Sequence, residues 1–418
     1  MSSASYSSAG WYEQVRAHTL PPSLFFVAAL MASIPLENSA VLPAVGSISR
    51  LVGALAAGAV IIDAAIALGF RRPHPGHVPL ALFVVWNAWT CFWSVNPAVS
   101  AGRFTTYVQL LLLVWLIWQS VRDLRHLRML LMGFVLGSCS AVVLTIINLQ
   151  NLKTIAGAPA SRGSLGRFSD PNELGLTLVL TLPMTYYLFT TARTWRGRVF
   201  WLLPIPLCLT GVVLTVSRGA FIATAVALLG ISLWHVTSAP RMRFAPLIAG
   251  ALLLVVGMAS APEASLKRFA SIEDELLSGR VGKRTPIWRV GMDLFRQRPL
   301  TGIGAATFGY ASAPLQGKDI AAHNVYVSVL TETGIIGFLI FSVALGMFFI
   351  TALHLGFSER FLWLTVMVIW CVGVMSLTWE YKKATWSIFA LLIATAGVSE
   401  PVRPARSNPR LTKYRMAG

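Results

Sequence analysis

The side chains best suited to chemistry in this 418-residue chain are arginines and one histidine in or beside a long polar stretch, residues 263–322. His323 directly follows that stretch and precedes Asn324. A neutral imidazole accepts a proton, and arginine makes permanently charged, bidentate contacts to anions. A helix start and neighbouring arginines lower the pKa of a histidine and keep it neutral. The pattern predicts an anion site with a general base, although a lone histidine at such a position also fits a structural role.

Apolar segments must position these residues. The chain is 56% hydrophobic and 12% charged, with a mean hydropathy of +0.67. A helix needs about 20 apolar residues to cross roughly 30 Å of hydrocarbon. We therefore predict an all-α polytopic membrane protein, a single transmembrane domain over residues 1–418. Its twelve expected spans lie near residues 20–36, 48–69, 79–95, 103–119, 128–149, 173–191, 199–216, 219–236, 244–262, 333–355, 361–378 and 384–398.

Basic residues in alternate short loops predict the orientation, because such loops stay in the cytoplasm. Both termini are then cytoplasmic, and the insert of residues 263–322, between the ninth and tenth spans, faces outward. The Ser-rich residues 1–10 lack the pattern of a removable signal peptide, so we expect an uncleaved tail. The net charge of +18 is mostly spread over cytoplasmic loops, so we expect contact with membrane lipids and no nucleic-acid partner.

Basic residues also occur where this topology disfavours them, on the outer face. Such a placement indicates anion binding at the outer leaflet. Arg218 stands between two apolar runs, where it either faces a bundle cavity or reaches the interface from a tight turn. Outside the insert, the outer basic residues are Lys153, Arg162, Arg167, Arg218, Lys382 and Lys383.

Two further segments carry local signals. Residues 157–172 have the composition of a turn-rich loop. Arg162 and Arg167 lie near glycines in it, and we expect their side chains either to approach a phosphate closely or to be solvated. Asp170 is expected to cap the helix that begins at Pro171. Residues 285–296 have the apolar spacing of a short amphipathic helix, which places Arg284 and Trp288 on one face.

Cysteine and acidic residues give no metal signal. Neither a CxxC nor a Cys/His spacing occurs, so we expect neither a disulfide framework nor a zinc site. A metal-dependent transferase would need an acidic cluster such as Asp-x-Asp, and the acidic run of residues 273–275 is typical of a solvated face. We predict a metal-independent protein without a cofactor. The four cysteines are Cys91, Cys139, Cys208 and Cys371.

Five short segments, in order and spacing, resemble the O-antigen ligase and polymerase (Wzy-like) superfamily. The resemblance covers about residues 205–345, and residues 168–172 extend it upstream. Arg280 competes with Arg284 for the arginine of the insert, and the spacing to Trp288 favours Arg284. The segments are Ser217-Arg218-Gly219, Arg284-Thr285-Pro286-Ile287-Trp288, Pro299-Leu300-Thr301-Gly302-Ile303-Gly304, His323-Asn324 and Glu332-Thr333-Gly334-Ile335-Ile336-Gly337.

The resemblance implies a GT-C-type glycosyltransferase fold in the bacterial inner membrane, with a periplasmic active site. It implies transfer of a glycan from undecaprenyl diphosphate to an acceptor hydroxyl, which for a ligase belongs to the lipid A core. His323 is then the base, and Arg284 and Arg218 stabilise the departing diphosphate. Substrate binding is expected from Arg162, Arg167, Arg289, Asn324 and Trp288.

Three other functions remain compatible with the sequence, one of them that of a protein-glycosylating relative in the same superfamily. The related polymerase uses another carrier-linked repeat as its acceptor, although the single large insert and the compact length favour the ligase. Twelve spans are also common in secondary transporters and flippases. Transporters place ionisable groups near the midplane, and the clear mid-helix acid here, Asp63, is easily interpreted as a partner for a neighbouring helix.

Overall fold

The computed structural model describes residues 20–37, 39, 41–42, 46–66, 69–156, 163, 165, 170–238, 248–252, 284–317 and 319–399. Most of this part is α-helical, so the all-α prediction is confirmed. Two short strands, β1 (Val41–Leu42) and β2 (Gly46–Ser47), pair antiparallel. The helices are α1 (Pro22–Ser33), α2 (Ile48–Ile66), α3 (His77–Thr90), α4 (Pro97–Ser120), α5 (Leu124–Ala156), α6 (Pro171–Thr191), α7 (Trp195–Leu202), α8 (Pro204–Thr215), α9 (Arg218–Ser238), α10 (Thr285–Gln297), α11 (Phe308–Gln316), α12 (Val325–Leu353), α13 (Phe357–Gly373) and α14 (Lys383–Ser399).

Eight of the described segments are long and apolar enough to cross a membrane: α2, α4, α5, α6, α7 with α8, α9, α12 and α13. Three more expected spans coincide with the shorter helices α1, α3 and α14. The polytopic membrane class is therefore confirmed. The ninth expected span, residues 244–262, lies mostly outside the described residues, and residues 263–283 of the insert lie wholly outside them.

The first helix packs very closely against α5. A Cβ at Gly133 or Gly137 would collide with the carbonyl oxygens of Ala28 and Ala32, respectively. Small residues four apart are what allow two membrane helices to approach this closely. The start of α1 also contacts α2, where Asp63 Oδ2 accepts a hydrogen bond of 3.0 Å from a backbone N–H of α1. Asp63 is thus a partner for a neighbouring helix, as its sequence position indicates.

Helix α6 lies at the centre of the bundle. Every residue from Leu174 to Leu188 is buried, and α6 contacts α5, α7, α8, α9 and α13. Gly211 of α8 and Gly373 of α13 fit against Leu178 and Leu176 of this helix. The start of α6 is therefore fixed within the bundle, which fixes the loop residue Asp170 that precedes it.

Helix α12 is broken at Gly334, where φ is 67° and ψ is −173°. The backbone of residues 299–304 lies in this break. A Cβ on Gly302 would collide with the backbone of Glu332, and a Cβ on Gly334 would collide with the backbone of Leu300, so only glycine fits at both positions. Two sequence motifs that look separate in the chain thus form one structural unit. Its hydrogen bonds run from Ile303 N to Thr331 O (3.1 Å), from Gly304 N to Glu332 O (2.9 Å) and from Ile335 N to Pro299 O (2.8 Å).

Glu332 completes this unit. Its carboxylate oxygens accept hydrogen bonds from the backbone N–H groups of Ala306, over 2.7 Å, and Phe308, over 3.2 Å. The side chain is 7% exposed. A carboxylate at the first N–H groups of a helix stabilises its start, so Glu332 fixes α11 to α12.

Candidate functional site

His323 lies in the turn just before α12. Its φ of 47° is in the left-handed region, which few residues other than glycine adopt, although histidine is enriched there. Its backbone N–H donates to Thr378 Oγ1 over 2.8 Å. The next residue, Asn324, caps α12 by accepting from the N–H groups of Tyr326 and Val327 at 2.9 and 3.2 Å. The backbone of His323 is therefore fixed on both sides.

Three charged residues from other parts of the chain influence the pKa of His323 or of one another. Arg284 precedes α10, Arg218 begins α9, and Asp170 caps α6 by accepting from a backbone N–H over 2.8 Å. The charges of Arg284 and Asp170 act on His323, and those of Arg218 and Asp170 act on Arg284. We call His323, Arg284, Arg218 and Asp170 the outer cluster, after the side of the membrane that the sequence predicts for them.

Burial and the charge of Arg284 both favour the neutral form of the His323 imidazole. Burial lowers the pKa of His323 below its ordinary value of 6.5, Arg284 lowers this pKa further, and Asp170 opposes both effects. The sequence predicts a lowered pKa from a helix start and arginines. The structure supports the arginine contribution, adds burial as the largest cause, and places His323 outside the helix rather than at its start. The site thus combines a neutral base with guanidinium charge.

Arg218 lies at the start of a helix. Its side chain is exposed, and it is the first residue of α9. Val216 turns the chain with a φ of 50°, and Ser217 Oγ accepts from the N–H of Ala220 over 3.3 Å, which caps the helix. The tight turn that the sequence indicates is therefore observed, and the role of the Arg218 side chain stays a prediction.

Close packing fixes this turn in place. A Cβ on Gly219 would collide with Ser376, and one on Gly175 of α6 would come within 2.7 Å of Ala220 Cβ. Ser376 ends a 3₁₀ turn, two residues before the threonine that binds the backbone of His323. The close fit at Gly219 therefore places the turn that carries Arg218 next to the segment of Thr378, which binds the backbone of His323.

Helix α10 is the amphipathic helix that the sequence predicts. Trp288 Nε1–H donates to the Ala322 carbonyl over 3.0 Å, so it anchors the residue before His323. Arg289 is exposed and borders a surface groove with Trp288 and Asp293, away from the buried face of the helix. The buried residues of α10 are Ile287, Gly291 and Leu294.

Three of the remaining arginines named from the sequence, Arg162, Arg167 and Arg280, lie outside the described residues. The side-chain oxygen of Asn324 is used to cap α12, so its expected role in substrate binding stays a prediction. The substrate-binding roles of Trp288 and Arg289 also stay predictions.

Two lysines that the predicted topology places on the outer face have acidic partners. Lys382 Nζ lies 2.8 Å from Glu173 Oε1, and Lys383 forms an ion pair with Glu37. Burial lowers the pKa of Lys382, but the charge of Glu173 and other neighbours more than offsets it, so the net pKa is raised. Ion pairs between segments that are distant in sequence thus give a structural reason for lysines at positions that the insertion bias disfavours.

Metal ligands do not gather in the described part of the chain, where no three His, Cys, Asp or Glu side chains are placed to hold one ion. The four cysteines are free thiols.

Two contributors to the site lack a clear sequence signal. Asp170 is identified from the sequence only as a helix cap; the cap is confirmed, and its charge also acts on His323 and Arg284. Thr378 follows an apolar span and has no recognisable motif, yet it binds the backbone of His323. Only the tertiary structure reveals that contact.

The described residues define an all-α, multi-pass membrane protein with a histidine and arginines clustered beside its helix ends. Residues 203–342 match the family model described as O-antigen ligase, Wzy_C. The predicted resemblance to the O-antigen ligase and polymerase superfamily is confirmed over this part of the chain, which contains Arg218, Arg284 and His323. No curated protein matches the chain.

Proposed function

We propose that this protein is an O-antigen ligase. It transfers O-antigen polysaccharide from undecaprenyl diphosphate to the lipid A core oligosaccharide on the periplasmic face of the bacterial inner membrane. The observation that carries the proposal is that the half-buried His323 lies within the influence of the Arg284 charge, inside the segment that matches the O-antigen ligase family.

The arginines act on the leaving group. A diphosphate departs without protonation if its growing negative charge is met by fixed cations. The charge of Arg218 acts on Arg284, so the two cations are close enough to serve one dianion. Guanidinium groups bind phosphate oxygens in bidentate fashion and remain charged at all relevant pH values.

His323 acts on the acceptor. The acceptor hydroxyl oxygen forms a bond to the anomeric carbon, and the bond from that carbon to the phosphate oxygen breaks. The bonding electron pair leaves with the diphosphate, and the hydroxyl proton moves to the neutral imidazole. Attack opposite the carrier inverts the anomeric centre. The lowered pKa of His323 supports this role, because only the neutral ring accepts a proton.

The proposal includes a GT-C-type fold, a single domain over residues 1–418 and two cytoplasmic termini. The described part of the insert packs on the membrane helices, which supports one domain: Arg298 donates to the Trp93 carbonyl over 2.6 Å, and Val95 N–H donates to the Ile303 carbonyl over 2.9 Å. We also propose that transfer needs no metal ion. Activity of the purified protein that is lost with EDTA and restored by Mg²⁺ or Mn²⁺ would contradict that part.

A deletion strain tests the ligase against the polymerase of the same superfamily. Loss of O-chains from lipopolysaccharide, with long carrier-linked polymer still accumulating, is the result expected of a ligase. Lipopolysaccharide that carries a single repeat would instead identify a polymerase. Wild-type lipopolysaccharide in the deletion strain would overturn both assignments.

A further inference from the structure

A lateral groove lies apart from the outer cluster. It has a volume of about 490 Å³ and runs between α2, α4 and the segment before α14. Among the described residues that line it, none belongs to the outer cluster. One end is polar, with Arg50, Arg103 and Lys382, and the rest of its wall is largely apolar.

The apolar part has the dimensions of a lipid chain. On α4 the lining extends from Arg103 to Leu116, which is about 20 Å along a helix that rises 1.5 Å per residue. That is roughly two thirds of the hydrocarbon thickness of a bilayer. Leu110 and Leu113 of α4 face Ala54 and Ala57 of α2 across it. The small alanines leave the space that an aliphatic chain would fill.

The polar end is cationic. Four basic side chains line the groove, against one carboxylate, Glu37. The guanidinium carbon of Arg103 lies 3.3 Å from the centroid of the Tyr381 ring, which holds this side chain at the groove end. Arg50 is exposed, and a Cβ on Gly46 would come within 3.0 Å of Arg50 Nη1, so the arginine side chain lies against Gly46 of β2.

Acidic neighbours offset part of this charge. Lys382 and Lys383 have their own carboxylate partners, and the buried carboxylates of Glu332 and Glu380 act on Arg103 from the bundle side. Arg50 is exposed and lines the same groove as Arg103, so it is accessible to an incoming headgroup.

We propose that this groove is a binding site for a phosphate-bearing membrane lipid, with the chain between α2 and α4 and the phosphate at Arg50 and Arg103. A cationic end above a long apolar channel matches an anionic amphiphile and does not match a soluble sugar or a neutral lipid. The proposal goes beyond the transfer reaction and does not require it.

The test measures lipid retention by the purified, delipidated full-length protein with native mass spectrometry. The probes are phosphatidylglycerol, a polyprenyl phosphate and the uncharged diacylglycerol. We expect both phosphate lipids to bind more tightly than diacylglycerol. Removing one interfacial arginine, in Arg50→Ala, should weaken their binding about fivefold and leave diacylglycerol unchanged.

A second pair of variants tests the chain-binding part. Ala54→Trp fills the groove and should weaken the binding of every probe, whereas Leu55→Trp, at an exposed neighbour on α2 that does not line the groove, should not. Arg196→Ala, at an exposed arginine elsewhere, is the control for Arg50→Ala. Thermal unfolding of each variant confirms that it is folded.

The two phosphate lipids distinguish the source of the ligand. Tighter binding of phosphatidylglycerol supports the proposal with a bulk phospholipid as occupant, and tighter binding of the polyprenyl phosphate supports it with a carrier lipid. Binding of diacylglycerol equal to that of both phosphate lipids overturns it. Wild-type binding by both Arg50→Ala and Ala54→Trp also overturns it. Because the assay needs no transfer, its failure leaves the proposed ligase activity untouched.

Discussion

His323 and Thr378 are 55 residues apart in sequence, yet the backbone N–H of His323 donates to Thr378 Oγ1 over 2.8 Å. This bond joins the turn before α12 to the segment after α13. His323 also has a left-handed backbone conformation. The direction of its imidazole therefore depends on the backbone hydrogen bond to Thr378, which does not involve the imidazole itself.

Replacing His323 with alanine should reduce ligation at least about 100-fold, since a positioned general base contributes on that scale. Lipopolysaccharide gels of a complemented deletion strain, with immunoblots for expression, measure the effect. His354→Ala is the matched control, because His354 is an exposed histidine at the other end of α12. Normal O-chain display by His323→Ala would remove the proposed base.

Thr378→Val should lower the turnover number with little change in KM, because the threonine positions His323 and does not contact substrate. The variant leaves the N–H of His323 without its acceptor, at a cost of about 1–3 kcal/mol. Thr378→Ser keeps the hydroxyl and should restore activity. Equal activities of the valine and serine variants would show that the hydrogen bond does not matter.

Arg284→Ala and Arg218→Ala should each lower transfer by about 100-fold or more, because each removes charge that meets the departing diphosphate. Arg→Lys should also fail wherever the guanidinium binds in bidentate fashion, since lysine is a point charge. Transfer rates of purified variants measure this. Arg296→Ala, at an exposed arginine paired with Asp293 on α10, serves as the control and should behave as wild type.

Activity should fall as pH drops below 6.5, because protonation removes the base and the pKa of His323 lies below that value. Asp170→Asn removes a charge that raises the pKa of His323, so the acidic limb of the variant's profile should move to lower pH. Asparagine still caps a helix, so the fold should be retained. The pH–rate profiles of both proteins check the shift, and a limb that moves to higher pH would contradict the assigned electrostatics.

Gly334→Ala should destabilise the protein by about 2 kcal/mol or more, because a side chain at positive φ is strained and its Cβ would collide with the Leu300 carbonyl. Gly346→Ala in the same helix has open space around it and should be neutral or slightly stabilising. Thermal unfolding in detergent compares them. Equal unfolding temperatures would show that the break in α12 tolerates a side chain.

The same break shows where prediction from the sequence stops. A pair of glycines at residues 302 and 304 indicates a turn, and residues 332–337 indicate a helix that enters a span. Neither local pattern reveals that the loop supplies backbone donors and acceptors for a gap in the helix, since these hydrogen bonds join residues about 30 positions apart. The sequence also predicts amphipathic α10 correctly, because its apolar spacing is a local signal.

What the sequence determined by itself is the membrane class, most of the spans among the described residues and the cap at Asp170, and it also singled out His323, Arg284 and Arg218, whose roles stay predictions. These follow from hydropathy, local spacing and a family resemblance. Only the tertiary structure decided that Thr378 holds His323 and that the outer lysines pair with Glu173 and Glu37. Such contacts depend on which helix ends meet when the bundle packs, and hydropathy alone does not encode that choice.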